Sequence, residues 1–314
     1  MDTGYNELSF AQKIKKRQGK FLRKSEWVER LLLQKNRFLF QRRALKMHGK
    51  EFQYQQEIEF VKQYGYHTPF PYLFSKEYEA INVVCKCDSE KRLRYVQVDN
   101  KRLYFPRNYS QRKIVEYFRL ALCEQDERNP HKYRTKEFSP NRESLFFDVG
   151  CAEAYESLML IDQVKEVHLF ECETEWIEAL HATFEPYQEK VFINEMTVSD
   201  QVGPQTTTID EYVMKEFGES VEGTSFFIKI DVEGAELQVL NGAKNTLKNH
   251  PCMVACCTYH RANHADAISC FFKKLLSKES PYQVSFSEGY LLMMMDVTAY
   301  PLFRKGVLRA QRDT

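Results

Sequence analysis

The sequence predicts an α/β fold with a doubly wound, mostly parallel sheet and helices on both faces. From about residue 143 onward, short apolar segments alternate with amphipathic ones. This rhythm is typical of successive strand–helix units whose parallel strands are buried on both faces. Polar or acidic residues follow each apolar segment, as expected where a ligand binds at the strand ends. The chain of 314 residues is 43% hydrophobic, which is enough for a substantial core.

Five strand–helix pairs can be assigned from the periodicity of the apolar residues. The predicted strands are 144–150, 164–171, 190–200 with its exit loop, 225–231 and 252–260. The predicted helices are 154–162, 174–184, 206–217, 235–250 and 265–278. A final hairpin at the sheet edge is predicted over 282–297.

The chain upstream of this pattern predicts an accessory region of helices and β-hairpins. Two successive hairpins are expected over 81–106, where the β-branched and aromatic runs break at Asp88–Ser89 and Asp99–Asn100. A helix follows from a Ser110 cap and ends before Asn129–Pro130. The predicted organisation is a helical basic region at 1–75, accessory hairpins and a helix at 76–142, and the α/β domain at 143–314.

Positive charge is concentrated between Lys13 and Lys50, although the net charge of the chain is only +1. Trp27, Leu31 and Phe38 recur there at helical spacing, with basic residues on the opposite face. The favoured interpretation is a solvated face of a packed helix that is dispensable for the chemistry. The alternative is peripheral contact with an anionic membrane or with nucleic acid. In the second case the chain would be a nucleic-acid-modifying enzyme that binds phosphates through this stretch.

The composition also predicts a cytoplasmic protein. The polar segment 1–10 lacks the apolar core of a secretory signal, and no apolar segment approaches the ~18–20 residues of a membrane span. Nine cysteines, without the usual CxxC spacing, predict reduced and mostly buried thiols. The sequence predicts no particular oligomeric state.

The residues that follow the strands predict the position of a ligand, because open α/β sheets bind ligands outside the carboxyl ends of their strands. Glu171 lies 21 residues beyond Gly150. An acidic residue at about this separation hydrogen-bonds a ribose diol in such folds. The candidate residues at the strand ends are Asp148, Gly150, Glu153, Glu171, Ser199, Asp200, Asp231, Glu233, Tyr259 and His260.

The turn after the first strand favours S-adenosylmethionine over a dinucleotide. Dinucleotide folds use G-x-G-x-x-G so that a pyrophosphate can approach the backbone. Here the segment DVGCAEAYES has one glycine, and its acidic residues Asp148 and Glu153 would repel a pyrophosphate. They would instead favour a sulfonium and an ammonium group. An NAD-dependent oxidoreductase is the alternative enzyme class.

Several segments resemble the FkbM-type S-adenosylmethionine-dependent methyltransferases, a class I, Rossmann-like family. The resemblance covers about residues 93–310, and IKIDVEGAE is its most specific element. It implies a Rossmann-like methyltransferase sheet and O-methylation of a sugar or another small hydroxyl acceptor. The segments that carry it are LFFDVGCAEAYESLML, VHLFECETEWIEALHATF, KVFINEMTVSD, FFIKIDVEGAELQVLNGA, VACCTYH and LFRKGVLRA, with KRLYFP and EQDERNPHKY upstream.

The resemblance also implies roles for the strand-end residues. Asp148, Gly150 and Glu153 would line the methionine end of the cofactor, and Glu171 would bind its ribose. Ser199 and Asp200 would approach the adenine, while His131 and residues 124–126 would form a lid. Ala154 stands where the family usually has glycine, which motivates the alternative of a catalytically degenerate cofactor-binding protein.

Catalysis is predicted at the ends of the fourth and fifth strands. Asp231 and His260 should flank the acceptor hydroxyl, with neutral His260 as the general base near pH 7 and Asp231 orienting it. Glu233 with Asp231 is an alternative pair of ligands for a divalent cation, although two carboxylates form a thin ligand set. Glu236 is expected only to stabilise the N-terminus of the helix that follows.

Overall fold

The structure is a computed structural model that describes residues 26–66, 68–221, 223–275, 281–293 and 300–312. Predictions that fall on residues 1–25, 276–280 and 294–299 lie outside the described residues. The helices are α1 (Glu26–His48), α2 (Gln55–Tyr64), α3 (Leu73–Glu79), α4 (Gln111–Glu124), α5 (Tyr155–Leu160), α6 (Thr174–Phe184), α7 (Ile209–Phe217), α8 (Glu236–Asn241), α9 (Lys244–Asn249) and α10 (His264–Leu275). The strands are β1 (Cys85–Cys87), β2 (Arg94–Val98), β3 (Lys101–Phe105), β4 (Leu145–Val149), β5 (Glu166–Phe170), β6 (Val191–Asn194), β7 (Thr197–Val198), β8 (Thr206–Thr207), β9 (Phe226–Ile230), β10 (Cys252–Cys257), β11 (Gln283–Phe286), β12 (Leu291–Leu292), β13 (Phe303–Arg304) and β14 (Val307–Arg312).

Seven strands form a central sheet in the order β11-β14-β10-β9-β4-β5-β6. The five strands from β10 to β6 run parallel. At the other edge, β14 and β11 are antiparallel to their neighbours. The chain order reverses between β4 and β9, which is where such sheets open a crevice for a ligand. The predicted mostly parallel, doubly wound sheet is therefore confirmed.

Two apolar cores, one on each face, hold the helices against this sheet. Phe146 of β4 packs in the core that contains residues of α4, α5 and α6. Its neighbour Phe147 packs in the core formed with α7, α8, α9 and α10. Successive side chains of a strand point to opposite faces, so β4 is buried along its whole length. Helices on both faces follow from this double burial.

The sequence predictions differ from the structure at the C-terminal end of the sheet. In place of one hairpin over 282–297, β11 pairs with β14, and β12 pairs separately with β13. After β11 the chain turns away from the sheet towards Tyr72. The backbone N–H of Tyr290, in this turn, donates to the Tyr72 hydroxyl at 2.6 Å. Long-range contacts of this kind are not visible in the local pattern.

The helix predicted over 235–250 is also interrupted, at Gly242. The chain there passes so close to the loop after β7 that a Cβ at Gly242 would overlap the backbone of Ser199. The Gly242 carbonyl accepts from the backbone N–H of Asp210 at 2.9 Å instead of continuing a helix. Two short helices, α8 and α9, therefore replace the single predicted one.

The accessory region follows the sequence prediction closely. Strands β1, β2 and β3 form the two predicted antiparallel hairpins. Ser110 caps α4, where its hydroxyl accepts from the backbone N–H of Lys113 at 3.2 Å. The hairpins and the start of α4 were predictable because turns and caps are local signals. The helix ends at Glu124, ahead of the predicted stop at Asn129–Pro130, and a turn occupies the residues between.

From residue 37 to its end, helix α1 buries residues other than the predicted Phe38; the predicted Trp27 and Leu31 lie outside the part whose side chains are described. Phe38 is 56% exposed, whereas Phe40 and Ala44 are buried in one core with Leu302 and Phe303. The prediction was wrong at Phe38 because this core is completed by α2 and by the distant C-terminal segment. In the described part of the chain, no helix combines the length and the apolar character needed to cross a membrane.

Candidate active site

A cleft of about 500 Å³ opens at the carboxyl ends of β4, β5 and β9, where the strand order reverses. Its volume is in the usual range for small-molecule sites. The polar lining residues at the strand ends are Asp148, Gly150, Glu153, Glu171, Asp231, Glu233 and Tyr259. Seven of the ten candidate positions therefore lie on one cleft, and their individual roles remain predictions.

Gly150 allows the ends of β4 and β9 to meet. Its φ is +76°, and a Cβ at this position would overlap the carbonyl oxygen of Asp231. The backbone N–H of Asp231 donates to the carbonyl of Val149 at 3.0 Å. A side chain at position 150 would push these two strand ends apart.

The turn continues through Ala152 and Ala154, which adopt left-handed φ values of 47° and 56° without the help of glycine. The Ala154 side chain is buried in the core and does not line the cleft. Its methyl group therefore takes no space from a ligand. The alternative of a catalytically degenerate protein stays a prediction.

Lys229 in the middle of β9 is a site residue that the sequence prediction missed. Its Nζ lies 2.8 Å from Asp148 Oδ1 and donates to the carbonyl of Gly150 at 2.8 Å. Ser157 donates to the other oxygen of Asp148 at 2.6 Å. Burial opposes the charge of Lys229, but Asp148 and Asp231 outweigh it and raise the lysine pKa above its ordinary value. The signal was the lysine inside the apolar run FFIKI, because a buried ammonium requires an anionic partner.

Glu171 ties the end of β5 to the turn after β4. Its Oε2 accepts from the backbone N–H of Ala152, and its Oε1 accepts from that of Glu173, both at 2.8 Å. Burial raises the pKa of the Glu171 carboxyl, although these backbone hydrogen bonds oppose the rise. Each oxygen retains a lone pair with which to accept another hydrogen bond.

Two tyrosines and two histidines surround the carboxylate of Asp231. Tyr133 donates to its Oδ2 at 2.8 Å, and the hydroxyl of Tyr259 lies 3.3 Å from its Oδ1. The Nε2 atoms of His131 and His260 are 3.7 Å and 3.5 Å from its carboxylate oxygens. Burial alone would raise the pKa of Asp231, but His260, Lys229 and His131 hold it below its ordinary value. Asp231 is therefore a stabilised anion facing the cleft.

His260 lies beside Asp231, and its role as a neutral general base stays a prediction. Its Nδ1 is 2.6 Å from Glu236 Oε1. Burial disfavours the imidazolium, yet Glu236 and Asp231 raise the pKa of His260 to about 9. His260 also does not line the cleft. The raised pKa favours the imidazolium at pH 7, a form suited to holding Asp231 as an anion.

Glu236 does more than stabilise the start of α8. Its Oε1 accepts from the backbone N–H groups of Val232 and Gly234 at 3.3 Å and 3.1 Å. His264 Nδ1 lies 2.9 Å from Oε2. Burial opposes ionisation, but His260 and His264 lower the Glu236 pKa well below its ordinary value. This buried carboxylate joins the loop after β9 to both histidines.

Two other predicted residues lie outside the cleft, and a third lies on its rim. Ser199 and Asp200 do not line the cleft, because the chain turns away where the Ser199 N–H pairs with the carbonyl of Thr207 at 2.9 Å. Met196 and the two residues after it line the cleft instead. Glu233 lies on the rim, where its side chain is 71% exposed.

The accessory region closes one side of the cleft. Glu124 and Gln125 at the end of α4, with His131 beyond them, line it, whereas Asp126 does not, and the predicted role of these residues as a lid stays a prediction. The Tyr117 hydroxyl of α4 donates to Glu153 Oε2 at 2.8 Å. Burial raises the pKa of the Glu153 carboxyl. The site is therefore built jointly by the sheet and the accessory helix.

The donors and acceptors of the cleft suit a cationic ligand. Lys229 is the single Lys or Arg among the described residues that line it, and Asp148 already pairs with that charge. The other lining groups include six further Glu and one further Asp. This set fits a sulfonium and an ammonium group and disfavours a pyrophosphate. A metal ion would need several ligand atoms close together. One ligand atom from each of Asp231, Glu236 and His260 lies within 4.8 Å of the others. The predicted Asp231–Glu233 pair is in none of the clusters of possible metal ligands among the described residues.

Comparison with known proteins identifies the family. Residues 61–277, more than half of the chain, match the methyltransferase FkbM domain. The chain therefore belongs to this methyltransferase family, and the predicted resemblance is confirmed. A search of curated proteins found no match. The family match crosses the predicted boundaries at 75 and 142, and the division into three regions remains a prediction.

Several solved structures of methyltransferases are similar to this chain. A methyltransferase FkbM from Methylobacillus flagellatus KT has a TM-score of 0.43 at 18% identity, covering 62% of this chain and 54% of that chain. An rRNA methylase from Streptococcus thermophilus has a TM-score of 0.35 at 12% identity, covering 55% and 89%. A Streptococcus mutans protein proposed to be a methyltransferase, in complex with SAH, has a TM-score of 0.37 at 13% identity, covering 55% and 90%. The chain spans about half the length of the first of these structures.

Proposed function

We propose that this chain is an S-adenosylmethionine-dependent methyltransferase that methylates a hydroxyl group of a sugar or another small acceptor. The observation that carries the proposal is the acidic cleft at the reversal of strand order, whose lysine is already neutralised by Asp148. The turn around Gly150 and the anionic Asp231 lie at its two central strand ends. Family membership supports methyl transfer as the reaction.

The residues present fit the cofactor. Gly150 lines the cleft without a side chain, and Glu153 beside it supplies negative charge for the methionine end. Backbone N–H groups fix both oxygens of Glu171, and a carboxylate has about four acceptor sites, which leaves capacity for a ribose hydroxyl. Met196 and Thr197 replace Ser199 and Asp200 as the residues proposed beside the adenine. When bound, S-adenosylmethionine supplies a methyl group activated by its sulfonium.

Asp231 is proposed to orient the acceptor. Its carboxylate is fixed by Tyr133 and Tyr259, and it remains ionised because His260 stays charged behind it. Positioning dominates the catalysis of a methyl transfer, which is an in-line displacement at an activated carbon. A hydrogen bond from an acceptor hydroxyl to Asp231 would supply that positioning.

Thermal unfolding with S-adenosylmethionine, SAH, NAD and NADP tests the cofactor. We expect stabilisation by the first two only, by about 2.7 kcal/mol at a hundredfold excess over Kd. Stabilisation by NAD alone would refute the proposal and favour the oxidoreductase. The acceptor is then sought by methyl transfer to the methyl glycosides of glucose, mannose, galactose and rhamnose.

Substitution of Glu171 tests its assignment to the ribose. Glu171→Ala should weaken SAH binding by about 1.5–3 kcal/mol, the cost of losing a hydrogen bond to a charged group. Glu178→Ala is the matched control, because Glu178 lies on the next helix with its side chain 52% exposed and paired with Arg107. Calorimetry with SAH measures both variants. Equal affinities in the two folded variants would remove Glu171 from the cofactor site.

A further inference from the structure

Glu124 differs from the other buried or half-buried carboxylates of the cleft in having no partner. Among the described residues, no side chain or backbone group forms a hydrogen bond or an ion pair with its carboxyl. By contrast, Asp148 binds Lys229, Glu153 binds Tyr117, and Glu171 binds two backbone N–H groups. Glu124 is partly buried at the C-terminal end of α4 and lines the cleft. An acidic group left without compensation in a ligand cleft suggests a role in binding or chemistry.

The surroundings of Glu124 increase its affinity for a proton. Burial is the main cause of a pKa raised well above the ordinary value, and Glu153, Asp231 and Glu233 add to it while Lys229 opposes it. The phenols that interact electrostatically with Glu124 are Tyr117, Tyr133 and Tyr259. A carboxylate with raised basicity is better suited to proton removal near neutral pH than an ordinary one.

Asp231 has the opposite character. Two phenols donate to it, and two histidines lie within 3.7 Å and 3.5 Å of its oxygens. These groups stabilise the anion and hold its pKa below the ordinary value. Asp231 is therefore suited to accept a hydrogen bond and poorly suited to keep a proton. The cleft thus contains one carboxylate that can anchor a hydroxyl and another that can deprotonate one.

We propose that Glu124 is the general base of the methyl transfer and that Asp231 anchors the acceptor. This inference rests on the proposed function. As the acceptor oxygen forms its bond to the methyl carbon, the carbon–sulfur bond of the sulfonium donor breaks and its electron pair goes to sulfur. The Glu124 carboxylate takes the hydroxyl proton, so the products are an ether, a thioether and a neutral carboxylic acid. An acceptor with two neighbouring hydroxyls, as in a sugar, would engage Asp231 with one and Glu124 with the other.

The test compares Glu124→Gln with Glu116→Gln on the full chain. Glu116 lies on the same helix, exposed and paired with Arg112, and does not line the cleft. Turnover is measured with the methyl glycosides of glucose, mannose, galactose and rhamnose, and SAH affinity is measured by calorimetry. We expect Glu124→Gln to lower kcat by about 10²–10⁴-fold while leaving SAH affinity within about threefold. Glu116→Gln should match the wild type in both.

The pH profile and chemical rescue separate a base from a merely structural residue. Wild-type kcat should rise with pH through the pKa of Glu124 and then level off, and Glu124→Gln should lose this rise. Formate should partly restore turnover to Glu124→Ala, because it can occupy the vacated carboxyl position. Unchanged kcat in Glu124→Gln would overturn the proposal. So would a tenfold or larger loss of SAH affinity at unchanged kcat, which would make Glu124 a cofactor ligand.

The outcomes also distinguish this inference from the proposed function. If wild type binds SAH and methylates one of the glycosides, the proposed function stands and the variants alone decide the role of Glu124. If wild type binds no SAH, or binds it and methylates none of the glycosides, the proposed function fails in its cofactor or its acceptor class. The assignment of Glu124 would then fall with it.

Discussion

The buried carboxylate of Glu236 links three parts of the catalytic edge. It accepts from the backbone of the loop after β9, pairs with His260 and lies beside His264. Its negative charge keeps His260 protonated, and His260 in turn keeps Asp231 ionised. A residue that the sequence indicated only as an early-helix acid therefore determines the charge state of two site residues.

We predict that Glu236→Gln lowers the free energy of unfolding at pH 7 by about 3–5 kcal/mol, because it leaves a buried imidazolium without its partner. In wild type, the raised pKa of His260 contributes stability that is fully present below its ordinary value of 6.5 and is lost as the pH rises through about 9. This contribution is about 2–4 kcal/mol. The variant should show little of this loss. Urea unfolding between pH 6 and 10 measures both effects.

A matched control comes from an exposed pair of the same residue types. Glu195 lies 3.7 Å from His181, and both side chains are more than half exposed. Glu195→Gln should change the stability by less than about 0.5 kcal/mol at every pH. If Glu236→Gln behaved in the same way, the buried pair would not control the charge of His260.

At the scale of elements, the site depends on how closely the ends of β4 and β9 approach. Gly150 follows β4 with φ +76° and leaves no room for a Cβ against Asp231. We predict that Gly150→Ala costs at least about 2 kcal/mol of stability, from the left-handed backbone and the overlap together. It should also weaken SAH binding, because the turn and Asp231 lie on the same cleft. Urea unfolding and SAH calorimetry measure the two effects.

Gly203→Ala is the control for this prediction. Gly203 lacks a left-handed φ, and a Cβ there would meet nothing closer than Thr206 at 3.7 Å. Stability and SAH affinity should both stay near the wild-type values. A Gly150→Ala variant as stable as Gly203→Ala would show that the strand ends can separate without cost.

The elements were predictable to the extent that their signals are local. The strand–helix alternation, the two hairpins and the Ser110 cap could all be predicted from short windows of sequence. The strand-end rule placed Asp148, Glu171 and Asp231 on one cleft without any knowledge of their partners. The break at Gly242 was missed because it depends on a loop more than 40 residues earlier in the chain.

The chemistry of the site was less predictable, because charge states depend on long-range neighbours. His260 was expected to be neutral, whereas its contact with buried Glu236, more than 20 residues earlier in the chain, favours the imidazolium. Glu124 and Tyr133 reach the cleft from the accessory region, so no spacing within the α/β pattern could indicate them. Lys229 was the exception, since a lysine in an apolar strand is itself a signal.

At the scale of the whole molecule, the N-terminal and C-terminal segments share one core. Phe40 and Ala44 of α1 pack with Leu302 and Phe303, and the backbone N–H of Leu302 donates to His48 Nε2 at 3.0 Å. Part of the basic stretch is therefore structural, even though it lies outside the α/β pattern. Deletion of residues 1–50 would remove this core as well as the positive charge. Point substitutions are the sharper test.

We predict that Phe40→Ala lowers the free energy of unfolding by about 3–5 kcal/mol, because it empties a buried position. Phe38→Ala, on the same helix but 56% exposed, should cost less than about 0.5 kcal/mol. Neither side chain lines the cleft, so the SAH affinity of both folded variants should equal that of the wild type. Urea unfolding and SAH calorimetry measure the two quantities. Small, equal effects of the two substitutions on stability would mean that the packing of α1 contributes little to the free energy of unfolding. Loss of SAH affinity in Phe40→Ala would mean that α1 also supports the cleft.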